Sequence, residues 1–198
     1  MRGLDGPGVL VLGQPLYAHS GGKKDRTLPD FQADYSRLAA LIESTLRGAA
    51  DQPAHDILML SGDIHVGRYA VGRISGIAPT GEVHELIASA ASRIAPDMKT
   101  PTPHEAPTKL LLPPDGRTRP WEVTTLMTSS MPTIDNNVGL VRMSRGTTAP
   151  TGQERVRFQM QLWRVRPYDS RTILKRLLPL PKPQGPLIRI FETEVELR

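Results

Sequence analysis

The run Ile-Leu-Met-Leu-Ser-Gly-Asp-Ile-His at residues 57–65 constrains the fold more than any other part of the chain. Its four leading apolar residues read as a short buried strand. Ser61-Gly62 then lets the backbone turn tightly. Upstream, residues 30–49 place Phe31, Tyr35, Leu38, Ile42 and Leu46 on one helical stripe, with Asp30 positioned to cap it. Before that helix, residues 9–12 are another short apolar run. Strand, helix and strand in this order imply a parallel pair joined by a right-handed crossover. Functional groups of such sheets gather at the carboxyl ends of the strands, where Asp63 and His65 stand.

Asp63 and His65 are two residues apart, so in extended chain they point to the same side. A carboxylate and an imidazole in that position are a common pair of metal ligands. An ordinary polar turn after a strand is the competing reading. The chain has no cysteine, so any ion must be held by His, Asp, Glu, Asn or backbone oxygen. The absence of cysteine also excludes disulfides and fits a reducing compartment.

Several stretches resemble the PhoD-like branch of the calcineurin-like metallophosphoesterases. They are Gly8-Val-Leu-Val-Leu-Gly-Gln-Pro-Leu16, Leu28-Pro-Asp-Phe31 leading into the helix, and Leu60-Ser-Gly-Asp-Ile-His65. Glu82-Val-His-Glu-Leu-Ile-Ala-Ser89, Ser92-Arg-Ile94, Thr128-Ser-Ser-Met131 and Asp135-Asn-Asn137 follow in the family's order. Together they cover roughly residues 8–145, and the Ser-Gly-Asp-x-His element is the most specific. The resemblance implies an α/β chain forming part of a four-layer αββα sandwich, a strand–helix–strand unit followed by β-rich hairpins.

The same resemblance implies a metal-dependent phosphoester hydrolase. Asp63 and His65 match the family's metal-binding segment, and His65 is also a candidate catalytic residue. Arg68, three residues on, is a candidate for gripping phosphate through its guanidinium fork, against the plainer reading of a surface strand arginine. Ser129, Ser130, Asn136 and Asn137 would support the metal ligands by hydrogen bonds from outside; Asp135-Asn136-Asn137 is equally ordinary turn chemistry. The cofactors implied are two divalent or trivalent ions, with iron, manganese, zinc and calcium all open. The family's earlier motifs, an Asp-rich strand end, a Gly-Asp element and a Gly-Asn-His element, do not occur in this sequence. Residues 1–198 are therefore expected to be the C-terminal portion of the domain, with a missing N-terminal half or self-association completing it. An apolar sheet face short of its partner layer is expected in consequence. The rival function is a non-catalytic module that binds a partner protein or an anionic polymer.

Composition is compatible with one folded body: 198 residues, 38% hydrophobic. No run of eighteen apolar residues and no signal-peptide pattern occur, which makes the cytoplasm the default expectation. A net charge of +5 favours anionic partners, phosphate esters among them, and leaves nucleic acid open. The basic residues crowd the last quarter, from Arg155 to Arg189, where a solvated surface is the plainer reading. Few aromatics are interleaved with them, which argues against a single-strand stacking platform.

Beyond His65 the pattern turns to strands. Residues 68–75 and 82–89 are joined by a turn-rich segment; 121–128, 138–143, 155–163 and 187–197 are further candidates. Val156, Phe158, Met160 and Leu162 alternate with Arg157, Gln159 and Gln161, as in a half-buried antiparallel strand. Residues 99–120 and 178–186 are proline clusters, read as an irregular excursion and a loop. Among the other histidines, His19 and His104 read as exposed. His55, beside Asp56 at the amino end of its strand, reads as structural, and His84 as a strand-face residue with a hydrogen-bond partner.

Overall fold

The computed structural model describes residues 6–18, 27–49, 53–62, 67–75, 81–88, 109–110, 121–128, 136–148, 152, 154–165 and 187–198. The first strand, β1 (Gly8–Val11), leads through a buried segment at Leu16 and Tyr17 to a 3₁₀ turn at Leu28–Asp30. That turn is closed by Asp30, whose carboxylate accepts the Thr27 N–H at 2.7 Å and its hydroxyl at 3.1 Å. Helix α1 (Gln32–Arg47) follows at once and stops at Gly48, which has a positive φ of 66°. The helix buries Tyr35, Ala39, Ile42 and Leu46 at the spacing of one helical face. Phe31, expected in that stripe, precedes the helix and stays half exposed.

Seven further described strands precede the last: β2 (Ile57–Ser61), β3 (Arg68–Ile74), β4 (Val83–Ile87), β5 (Lys109–Leu110), β6 (Trp121–Thr128), β7 (Asn136–Thr148) and β8 (Glu154–Val165); β9 (Leu187–Leu197) closes the series. Six of them form one mixed sheet in the order β1-β2-β4-β3-β6-β5. β1, β2 and β4 are mutually parallel, as the strand–helix–strand pattern requires, and β3 and β6 join antiparallel. The other three form an antiparallel sheet in the order β7-β8-β9. The described chain is thus mixed α and β, mostly strands with one α-helix.

Two cores explain the layering. Tyr35, Ile42 and Leu46 of α1 pack with Leu16, Tyr17, Ile57, Met59, Ala70, Ile74, Val83, Trp121 and Val123 on one face of the six-stranded sheet. Leu58, Tyr69 and Leu86 on its opposite face pack against Phe158, Met160, Leu162 and Leu197 of the smaller sheet. Each fully buried Leu, Ile, Val, Met or Phe among them contributes about 1.5–3 kcal/mol. Gly72 of β3 leaves room for the Tyr17 ring, which any Cβ there would meet. The ring's hydroxyl donates to the Val83 carbonyl at 3.1 Å.

The expected bare apolar sheet face is not what the described residues show. Helix and small sheet pack against the two faces of the larger sheet, and the outer face of β8 and β9 is a polar ladder. Gln159 and Gln161 donate to Glu192, while Arg157 pairs with Glu194 and Glu196. Exposed large apolar side chains lie instead at Val9 and Val11 of β1, at Leu126 of β6 and at Val138, Leu140 and Met143 of β7, with Phe31 and Leu41 at the helix. Among the described residues no helix is long and apolar enough to cross a membrane.

Candidate functional site at the carboxyl end of the parallel strands

Strand β2 is held on both sides close to its carboxyl end. Leu12 N–H donates to the Leu60 carbonyl at 3.0 Å, and Ala88 N–H to the Ser61 carbonyl at 3.0 Å. The carboxyl ends of β1, β2 and β4 therefore lie side by side. Residues 63–66, which include Asp63 and His65, lie outside the described residues, but both of their anchors are described. Chain leaves at Gly62, where a Cβ would come within 3.4 Å of the Ala88 carbonyl oxygen, and re-enters at buried Gly67 and Arg68.

The other candidate segments begin at the same end of the sandwich. Arg68 at the start of β3 pairs with Thr128, the last residue of β6. Ser129 and Ser130 follow directly and lie outside the described residues. Asn136 and Asn137 open β7, whose Gly139 sits against Ala88 and Leu86 at the carboxyl end of β4. Three candidate segments, 63–66, 129–130 and 136–137, are thus anchored around Ser61, Arg68, Thr128 and Ala88. The Ser61 hydroxyl is buried there and has no hydrogen-bond partner among the described residues.

Beneath this end lies a charged network. Arg68 is fully buried, and one amino group of its guanidinium donates to the Glu85 carboxylate at 2.8 Å and to the Tyr17 carbonyl. Glu85, equally buried, also accepts the Leu16 N–H at 2.5 Å, and Tyr35 donates to the Leu16 carbonyl at 3.0 Å. Burial pushes the Glu85 pKa up, and Arg68 with the backbone N–H groups of Leu16 and Tyr17 pulls it back. Desolvation raises the Tyr17 pKa well above its usual value. Arg68 is therefore not a surface arginine. It ties the start of β3 to β4 and to the segment after β1.

Glu85 and Tyr17 were not singled out by sequence reasoning. The signal for Glu85 was a carboxylate inside the apolar run Val83–Ile87, which demands a buried partner. His84 behaves as read. Its Nδ1 lies 2.8 Å from the Tyr69 hydroxyl, its Nε2 3.5 Å from Glu82, and burial lowers its pKa. Tyr69, Arg73, Glu82, His84, Glu122 and Thr124 line an open cleft on this sheet face. His55 and Asp56 are structural as expected, since Asp56 accepts from the backbone N–H groups of Glu82 at 2.8 Å and Arg198 at 2.9 Å. His19 and His104 lie outside the described residues.

The candidate residues named from the sequence, Asp63, His65, Ser129, Ser130, Asn136 and Asn137, offer oxygen and nitrogen but no sulfur, donor types of the kind that hard or borderline ions take. Among the described residues no three His, Asp or Glu side chains gather into a metal-binding group. No family model matches the chain, and neither a curated protein nor a solved structure does.

Proposed function

We propose that this chain is the C-terminal portion of a PhoD-like, metal-dependent phosphoester hydrolase whose full domain is a four-layer αββα sandwich. The observation that carries the reading is the convergence of anchors. The segments bearing Asp63, His65, Ser129, Ser130, Asn136 and Asn137 all start from one end of the sandwich, at the carboxyl ends of parallel strands, where α/β sheets place their ligands.

In this reading Asp63 and His65 hold one side of a dinuclear centre, and the remaining ligands come from the other half of the domain. The bound ions supply Lewis acidity and an activated water for attack on phosphorus. Ser129, Ser130, Asn136 and Asn137 orient the ligands by hydrogen bonds. Arg68 acts through position: its pairing with Glu85 fixes the point where the 63–66 segment rejoins the sheet. Gripping substrate phosphate passes to other cations. Iron, manganese, zinc and calcium remain the candidate ions, and a phosphate ester the substrate class.

The test is complementation of this chain with an upstream half carrying Asp-rich and Gly-Asn-His elements, followed by steady-state hydrolysis of an aryl phosphate. Metal-dependent turnover that disappears in Asp63→Asn and His65→Ala is expected. Turnover and metal content unchanged in both variants would sink the reading and leave the non-catalytic module in its place.

A further inference from the structure

We propose that β7 is a self-association edge, through which two copies of this chain pair antiparallel about a two-fold axis near Val141 into one six-stranded sheet. Four described edge strands offer unpaired backbone groups: β1, β5, β7 and β9. β1 has four residues and β5 two, too few for a stable ladder on their own. β9 is long but guarded. Glu192, Glu194 and Glu196 alternate along its outer face, so pairing β9 with itself sets glutamate against glutamate. Those glutamates are also engaged within the chain, by Gln159, Gln161, Arg157, Arg155 and Thr147.

β7 has 13 residues and among the described strands is bonded on one side only, to β8. Of its residues from Val138 onward, only Val141 and Gly146 are even partly covered. Val138 is 48% exposed, Leu140 51% and Met143 66%. An exposed long edge with apolar residues on both faces is the kind that pairs with another strand.

The sequence of β7 is complementary to itself in one register. With Val141 opposite Val141 of the second copy, Met143 meets Gly139 on the inner face. On the outer face Leu140 meets Arg142, and Val138 meets Ser144. Arg145 falls opposite Asn137, so no two arginines oppose each other. A continued sheet would also extend cover from β7, which lies over the carboxyl end of β4. This inference does not depend on the hydrolase reading.

The experiment is light scattering behind size exclusion on the full chain, from low to high micromolar concentration. A discrete species of twice the 21.8 kDa chain mass is expected, dissociating on dilution. Leu140→Lys with Met143→Lys should abolish it while leaving the circular dichroism and urea midpoint unchanged, because both positions are exposed. Val138→Cys with Ser144→Cys tests the register. The chain has no native cysteine, and the two positions lie about 20 Å apart along one strand, too far to bridge within a copy. Oxidation should therefore give a covalent dimer. A monomer at every concentration overturns the proposal. A polydisperse aggregate, a dimer that survives the double lysine variant, or a dimer that forms no disulfide does so too.

Discussion

Arg68 and Glu85 form an ion pair at 2.8 Å with both side chains completely buried. Two charges removed from water are costly, and what offsets the cost here is geometry: the pair also bonds the backbone at Leu16 and Tyr17. The network joins β3, β4 and the segment after β1 directly below the end where the candidate site is anchored. Removing one partner leaves the other uncompensated. Arg68→Ala and Glu85→Ala should each cost about 3–5 kcal/mol of stability. Arg68→Met with Glu85→Leu should recover much of that loss. Urea denaturation of the three variants measures it; single variants as stable as the parent would show that the pair is not formed.

His84 makes stability depend on pH. Burial is the main cause of its lowered pKa, opposed by the carboxylates of Glu82 and Asp56 and reinforced by Arg73. The unfolded chain takes up the proton near the ordinary histidine value of about 6.5, before the folded chain does. Stability is therefore fully present above that pH and falls as pH drops below it, at up to about 1.4 kcal/mol per pH unit until the folded pKa is reached. The Tyr69 hydroxyl, whose own pKa burial pushes up to about 12, remains neutral throughout this range. Urea midpoints measured from pH 7.5 downward, a range set by the ordinary histidine pKa of about 6.5, should decline in the parent and decline less in His84→Gln. An identical slope in both would assign the acid limb to other groups.

The sequence was most legible where a strand is half buried and least legible where it is bare. Residues 121–128 and 187–197 were read with the bounds that the structure has, because one face of each alternates against a core. β7 was read as residues 138–143 and runs from Asn136 to Thr148. An edge strand exposed on both faces has no burial to impress a period on its residues, and Gly139, Ser144 and Gly146 weaken the strand signal further. The burial of Arg68, against the plainer reading of a surface strand arginine, is illegible for a different reason. Its partner lies 17 residues away on a neighbouring strand, and nothing local to Arg68 announces it. The anchored end of the site was legible from strand–helix–strand order alone, whereas its convergence with Thr128 and Asn136 depends on sheet pairing.

Asp56 should behave as a latch between the two sheets. Its carboxylate accepts from Glu82 N–H and Arg198 N–H, and its own N–H donates to the Arg198 carbonyl at 2.9 Å. The end of β9 is thereby fastened to the start of β2. Asp56→Ala strands two backbone donors and should cost about 1–3 kcal/mol. Deleting Leu197 and Arg198 removes the same contacts, along with a buried leucine. The two changes share a partner, so their combined cost should fall short of the sum. Full additivity in a double-mutant cycle would show that the latch is not a unit.

Metal binding should register as stability, independently of any turnover. An ion that binds the folded chain and not the unfolded one stabilises it by RT ln(1 + [L]/Kd), about 2.7 kcal/mol at a hundred times Kd. Manganese added to the parent chain complemented with the upstream half, which carries the remaining ligands, should raise the thermal midpoint, and chelation should reverse the rise. Asp63→Asn keeps the shape of the side chain but removes its charge, and His65→Ala removes a nitrogen ligand. Both should leave the metal-free midpoint near the parent value and abolish the manganese-induced rise. Ser61→Ala, which deletes a buried hydroxyl without a described partner, should change metal-free stability by no more than about 0.5 kcal/mol. If that hydroxyl supports the site, the rise with manganese should shrink in this variant too. An equal rise in parent, Asp63→Asn and His65→Ala would move the ion to another part of the surface and remove the main support for the hydrolase reading.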